Sequence, residues 1–139
     1  MKSDTKAGDA PSFKLYRLID ANLNRLREGI RVVEDIQRYL FDDAALSKKL
    51  KTLRHEVRLP DARRYLAARD IASDVLKETT PSEANREDLQ SLLFSNIKRA
   101  QESARVLEEA LKLIDPGEAE RFKRLRYALY EIEKELFIS

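Results

Sequence analysis

In 139 residues the chain has no cysteine, no tryptophan, one histidine, three glycines and four prolines. Each shortage excludes something. Without cysteine there are no disulfides and no thiolate metal sites, a composition that suits a reducing cytoplasm. The lone His55 leaves zinc without imidazole ligands. Scarce glycine and proline point to short connections. No apolar run is long enough for a membrane span, and Met1–Pro11 is polar, unlike a signal peptide. Neither charge sign dominates: 27 Lys and Arg face 25 Asp and Glu, for a net +2, so charge gives no support to nucleic-acid binding. Walker P-loop, G-x-G-x-x-G and G-x-S-x-G patterns are all absent, and any nucleotide must be held without a glycine-rich cradle.

What is present is a sequence written twice. Asn22, Arg25, Glu28, Arg31, Val32, Glu34 and Asp35 recur at one offset as Asn96, Arg99, Glu102, Arg105, Val106, Glu108 and Glu109. Further on, Lys51-Thr52-Leu53-Arg54-His55 is answered by Lys123-Arg124-Leu125-Arg126-Tyr127, two residues early. Duplicated packing alone would keep the apolar positions and let the polar ones drift. The conserved spacing of polar groups therefore suggests two related hairpins that line a shared site.

The apolar periodicity is helical throughout. Ile19, Leu23, Leu26, Ile30, Val33 and Leu40 form a first stripe, following a flexible lead over residues 1–11. Asp42 or Asp43 caps a second helix from Ala44, with Leu46, Leu50, Leu53 and Val57 buried. Pro60 opens a third helix through Tyr65, Leu66 and Ile71. Thr80-Pro81-Ser82-Glu83 reads as a capping box, although a loop near 85–89 remains an alternative to one helix reaching Ile114. Leu93, Ile97, Ala100, Ala104, Leu107 and Leu111 repeat the first stripe. Asp115-Pro116-Gly117-Glu118 opens a last helix burying Phe122, Leu125, Leu129, Ile132 and Leu136. The expected fold is all-α: one domain over 12–139, a bundle of two long-short helical hairpins related by a pseudo-two-fold, joined by a linking segment. The repeat covers about 17–58 and 91–134.

The polar repeat winds around its helix, because three-residue steps turn the side chain back by about 60°. Asn22 and Glu34 then flank the apolar stripe, as do Asn96 and Glu108. Gly29 and Ser103 leave room for a ligand or for another helix. Arg31, Arg105, Arg54 and Arg126 are suited either to bidentate anion recognition or to a structural network with the glutamates. His55 is a general acid-base candidate or a surface residue. Tyr127 and Tyr130 are candidates for stacking on a heterocycle or for the core. In the linking segment, Asp70 and Asp74 share one face if helical, and such a pair holds Mg²⁺ or is merely exposed. Arg86 falls near an exposed helix start suited to phosphate.

The stretches Asp20–Asp35 and Asn96–Glu109, completed by Phe122-Lys-Arg-Leu-Arg-Tyr127, closely resemble a small helical family found alone or fused in front of thiamine-phosphate synthase. The family is assigned as a hydroxymethylpyrimidine phosphate kinase. The resemblance implies a cytoplasmic transferase of thiamine biosynthesis that moves the γ-phosphoryl of ATP, with Mg²⁺, to the pyrimidine monophosphate. On that reading Arg31, Arg105, Glu28 and Glu102 carry catalysis. Asn22, Asn96, Arg25, Arg99, Arg54, Arg126, His55 and Tyr127 bind substrate, and Asp70 and Asp74 hold the metal. The partners this implies are the pyrimidine phosphate and the synthase, with a homodimer as a candidate assembly and with neither nucleic acid nor membrane. The alternative is a non-catalytic helical partner of thiamine-phosphate synthase that stabilises it or channels its substrate.

Overall fold

A computed structural model describes residues 10–80 and 88–138. Among them the chain forms five helices and no strand: α1 (Ala10–Tyr39), α2 (Ala44–His55), α3 (Ala62–Ala67), α4 (Leu89–Leu111) and α5 (Pro116–Phe137). The all-α expectation holds. α1 already begins at Ala10, inside the expected lead, and the remainder of that lead lies outside the described residues. The capping box from Pro81 onward and Arg86 also lie outside them.

Two helix starts, at Asp43 and Asp115, follow the chemistry read from the sequence, whereas α4 starts at Leu89 after an Asp88 cap that the sequence reading did not name. Asp43, Asp88 and Asp115 each accept a backbone N–H of the first turn, from Leu46, Ser91 and Glu118 at 3.0, 2.7 and 3.2 Å. Each satisfies one of the amides that a helix N-terminus leaves without a partner. Pro116 occupies the first turn of α5, where its missing N–H costs nothing. Asp42 absorbs the reversal between α1 and α2 with a left-handed φ of 51°, a conformation that Asp tolerates better than most residues.

Burial follows the two stripes. Ile19, Leu26, Ile30, Val33, Ile97, Ala100, Ala104, Leu107 and Leu111 are fully enclosed, with Leu50, Phe122 and Leu129 closing over them. α1 and α4 make the broadest helix contact; α2 and α3 lie against α1, and α5 lies against α4. Three expectations fail at helix ends. Leu40 is exposed because α1 stops at Tyr39. α3 is only one and a half turns long and starts after Asp61 rather than Pro60, so Leu66 and Ile71 face solvent while Tyr65 is buried.

Gly29 marks where α1 and α4 approach most intimately. A Cβ there would sit 3.1 Å from the Asn96 carbonyl oxygen and 3.4 Å from the Ala100 Cβ. The small residue thus serves helix packing rather than a ligand.

Candidate functional site

The duplication persists in three dimensions through polar groups doing the same job twice. Asn22 Nδ2 donates to the Leu18 carbonyl at 3.0 Å, and Asn96 Nδ2 donates to the Leu92 carbonyl at 2.9 Å. Glu34 accepts two bonds from Arg54, at 2.6 and 3.1 Å, tying α2 to α1. Glu108 accepts two from Arg126, at 3.1 and 2.9 Å, tying α5 to α4. Both glutamates are buried. The hydrogen bond that Arg54 donates to Glu34 raises the Arg54 pKa above its ordinary value. At Arg126 burial pulls the pKa down, but the Tyr130 hydroxyl and Glu108 together outweigh it. Both arginines thus make the pairings with the glutamates that the network alternative describes.

The remaining charged residues of the repeat lie at or near the surface. Arg31 pairs with Asp35 and Arg105 with Glu109, one helical turn away, at 3.2 and 3.3 Å. Arg99, Glu102 and His55 are exposed on their helices. Tyr127 and Tyr130 are neither core nor free: they stack on each other, with centroids 6.1 Å apart, against the Arg126 guanidinium. The two copies do not converge on one shared site.

A cleft of about 520 Å³ nevertheless gathers the first copy and the linker. One wall is α1, presenting Asn22, Arg25 and Glu28; the other is the linker, presenting Asp70, Ile71 and Asp74. Among the described residues, the linker is not helical from 68 to 80. The shared helix face assumed for Asp70 and Asp74 does not exist, yet its turns bring both carboxylates to the same cleft. Asp70 accepts the Ser73 amide at 3.1 Å and Asp74 accepts the Leu76 amide at 3.0 Å. The Ser73 side chain, then its amide, holds the Asp70 carboxyl below its ordinary pKa. Among the described residues no group of three His, Cys, Asp or Glu is placed to hold a metal unaided.

Two arginines clip the linker to α1. Arg69 donates to both oxygens of buried Asp20 at 2.8 and 2.9 Å, and Arg17 donates to the Asp70 carbonyl at 2.9 Å. Lys14, Arg17, Asp20 and Arg69 all line the cleft and were missed by sequence reasoning. A signal existed in the places where the repeat fails. At the offset that carries Asn22 to Asn96, Lys14, Arg17 and Asp20 meet Asp88, Ser91 and Phe94. The first copy departs from the second at the residues that bind the linker or line the cleft.

The chain is similar to proteins called thiamine-phosphate synthase. It is 40% identical over 123 residues to that of Nostoc punctiforme, covering 88% of this chain and 35% of the relative. The Synechocystis protein is 41% identical over 126 residues, covering 90% of this chain and 37% of the relative. The Rhodopirellula baltica protein is 35% identical over 133 residues, with 92% and 36% covered. The chain thus spans about a third of the length of the curated relatives it matches. No solved structure matches it. These relatives correct the kinase expectation: their names carry the synthase and not a kinase, and this chain corresponds to one helical part of them. The finding favours a helical portion of a synthase protein over a phosphotransferase in its own right. The ThiD2 family description matches residues 17–135, nearly the whole described fold, and the chain belongs to that family.

Proposed function

We propose that this domain serves thiamine-phosphate formation as a helical partner of a thiamine-phosphate synthase, and that it holds a phosphorylated pyrimidine substrate for the synthase without transforming it. The observation that carries this reading is the convergence of Asn22, Arg25 and Glu28 with Asp70 and Asp74 on one cleft. Arg25 is exposed on its wall and makes no ion pair among the described residues, so its guanidinium is available to a phosphate. Glu28 and the Asn22 carbonyl side are suited to the donor edge of an aminopyrimidine. Asp70 and Asp74 would accompany a bound phosphate through Mg²⁺, an ion that typically combines one or two carboxylates with phosphate oxygens.

A synthase deprived of its helical portion, mixed with this chain, tests the reading. The expected result is co-elution and faster thiamine-phosphate formation at limiting pyrimidine substrate, with the stimulation lost in Arg25→Ala. No complex and no change in rate would sink it.

A further inference from the structure

On the far side of the Asp20–Arg69 pair lies a second cleft of about 400 Å³, between α1, α3 and the α2–α3 connection. Leu23, Leu59 and Tyr65 are buried along it. Its charge is one-sided: Arg27, Arg58, Arg63 and Arg69 line it against a single carboxylate, Asp20, already held at both oxygens by Arg69. Among the described residues, the side chains of Arg58 and Arg63 have no hydrogen bond or ion pair. The nearby Asp61 is turned to Arg64, at 3.7 Å. Such concentration is unusual in a chain whose charges nearly balance overall.

The backbone carrying Arg58 is also fixed from two sides. Arg27 donates to the Val57 carbonyl at 2.7 Å and to Asn24 Oδ1 at 3.3 Å. Arg121 of α5 donates to the Glu56 carbonyl at 2.6 Å and also to that of Arg58. Two cations thus immobilise a connecting segment that presents a third, uncompensated one. Ordinary exposed arginines are solvated and need no such support. Guanidinium groups carried by a fixed backbone around a concave, partly apolar floor attract a dianion.

We propose that this cleft is a second ligand site, separate from the α1–linker cleft, which binds a small phosphate monoester. The phosphate sits between Arg58 and Arg63, and the ester's apolar or planar body lies on Leu23, Leu59 and Tyr65. The volume suits a small molecule and the concave shape does not suit a nucleic-acid strand. The site stands independently of the synthase reading, since a chain that forms no complex with a synthase still binds the ester here.

Calorimetric titration of the full chain with phenyl phosphate and with inorganic phosphate at low ionic strength tests it. Phenyl phosphate is expected to bind more tightly than inorganic phosphate, and the Arg58→Ala/Arg63→Ala double variant to bind it at least about tenfold more weakly. Both side chains are exposed, so circular dichroism should show an unchanged fold. Arg124→Ala, exposed on α5, is the neutral control. Equal affinity for the two probes, or unchanged affinity in the double variant, overturns the proposal. Binding that survives in the double variant but is lost in Arg25→Ala assigns the anion to the other cleft and overturns it as well.

Discussion

Arg54 and Arg126 occupy equivalent places in the two hairpins, and each closes its hairpin with a buried carboxylate. A buried ion pair gains little over a well-packed apolar pair, because desolvation offsets the attraction. Removing one partner is different, since it strands a charge. Arg126→Ala is therefore expected to lose about 3–5 kcal/mol in chemical denaturation. The double variant Arg126→Met/Glu108→Leu should lose far less. Arg31→Ala and Arg105→Ala interrupt only exposed pairs and should change stability by about 0.5 kcal/mol at most. A large loss in either would mean that these surface pairs do more than their exposure suggests. Gly29→Ala sets a helix-propensity gain of about 1 kcal/mol against contact with the Asn96 carbonyl. The overpacking should dominate and lower the melting temperature.

At the scale of elements, α4 and α5 are joined at Glu133, which accepts bonds from Gln101 at 2.8 Å and Lys98 at 3.2 Å. Burial raises the Glu133 pKa, but Gln101 and Lys98 outweigh it and the net shift is downward. A carboxyl depressed by folding contributes stability above its unfolded pKa, near 4.3, and loses it as pH falls through the folded value. Glu133→Gln should lower stability by ~1 kcal/mol at pH 7 and flatten the fall below about pH 4. A wild-type acid limb in that variant would contradict the assignment. Of the two contacts that clip the linker to α1, only the Arg69–Asp20 pair is bidentate, so Asp20→Ala should speed amide exchange over residues 69–76 while leaving α4 and α5 protected.

Helix periods and caps were legible because they depend on residues close in sequence. Asp43 and Asp115 stand where the sequence places them, as do both apolar stripes apart from Leu40. The short α3 was not, because Pro60 and the apolar Leu66 and Ile71 suggest a longer helix than the chain forms. The cleft was half legible. Asn22, Arg25, Glu28, Asp70 and Asp74 were singled out, the last two through a helix that does not exist there. Arg17, Asp20 and Arg69 depend on contacts 49 and 53 residues apart, which no local pattern encodes.

At the scale of the molecule, two similar hairpins face each other, but only the first is dressed by a linker. Both arginine-lined clefts lie on that flank. The α2–α5 side is different again: a groove of about 670 Å³ between Leu53 and Ile132 is spanned at its edge by Lys49 and Glu135, 3.0 Å apart. Lys49→Ala removes an exposed pair and should cost at most about 1 kcal/mol, measurable by thermal melting.

The unequal pair of Gly29 and Ser103 bears on whether half of this protein suffices. A fragment of residues 88–138 meeting its own twin in place of α1 would offer Ser103 to the position that Gly29 fills. Each of the two crossings would then press a Cβ toward the Asn96 carbonyl of the opposite copy, at the 3.1 Å that only glycine avoids. Such fragments should fail to assemble into a substitute for the whole. At this crossing the halves are complementary rather than interchangeable.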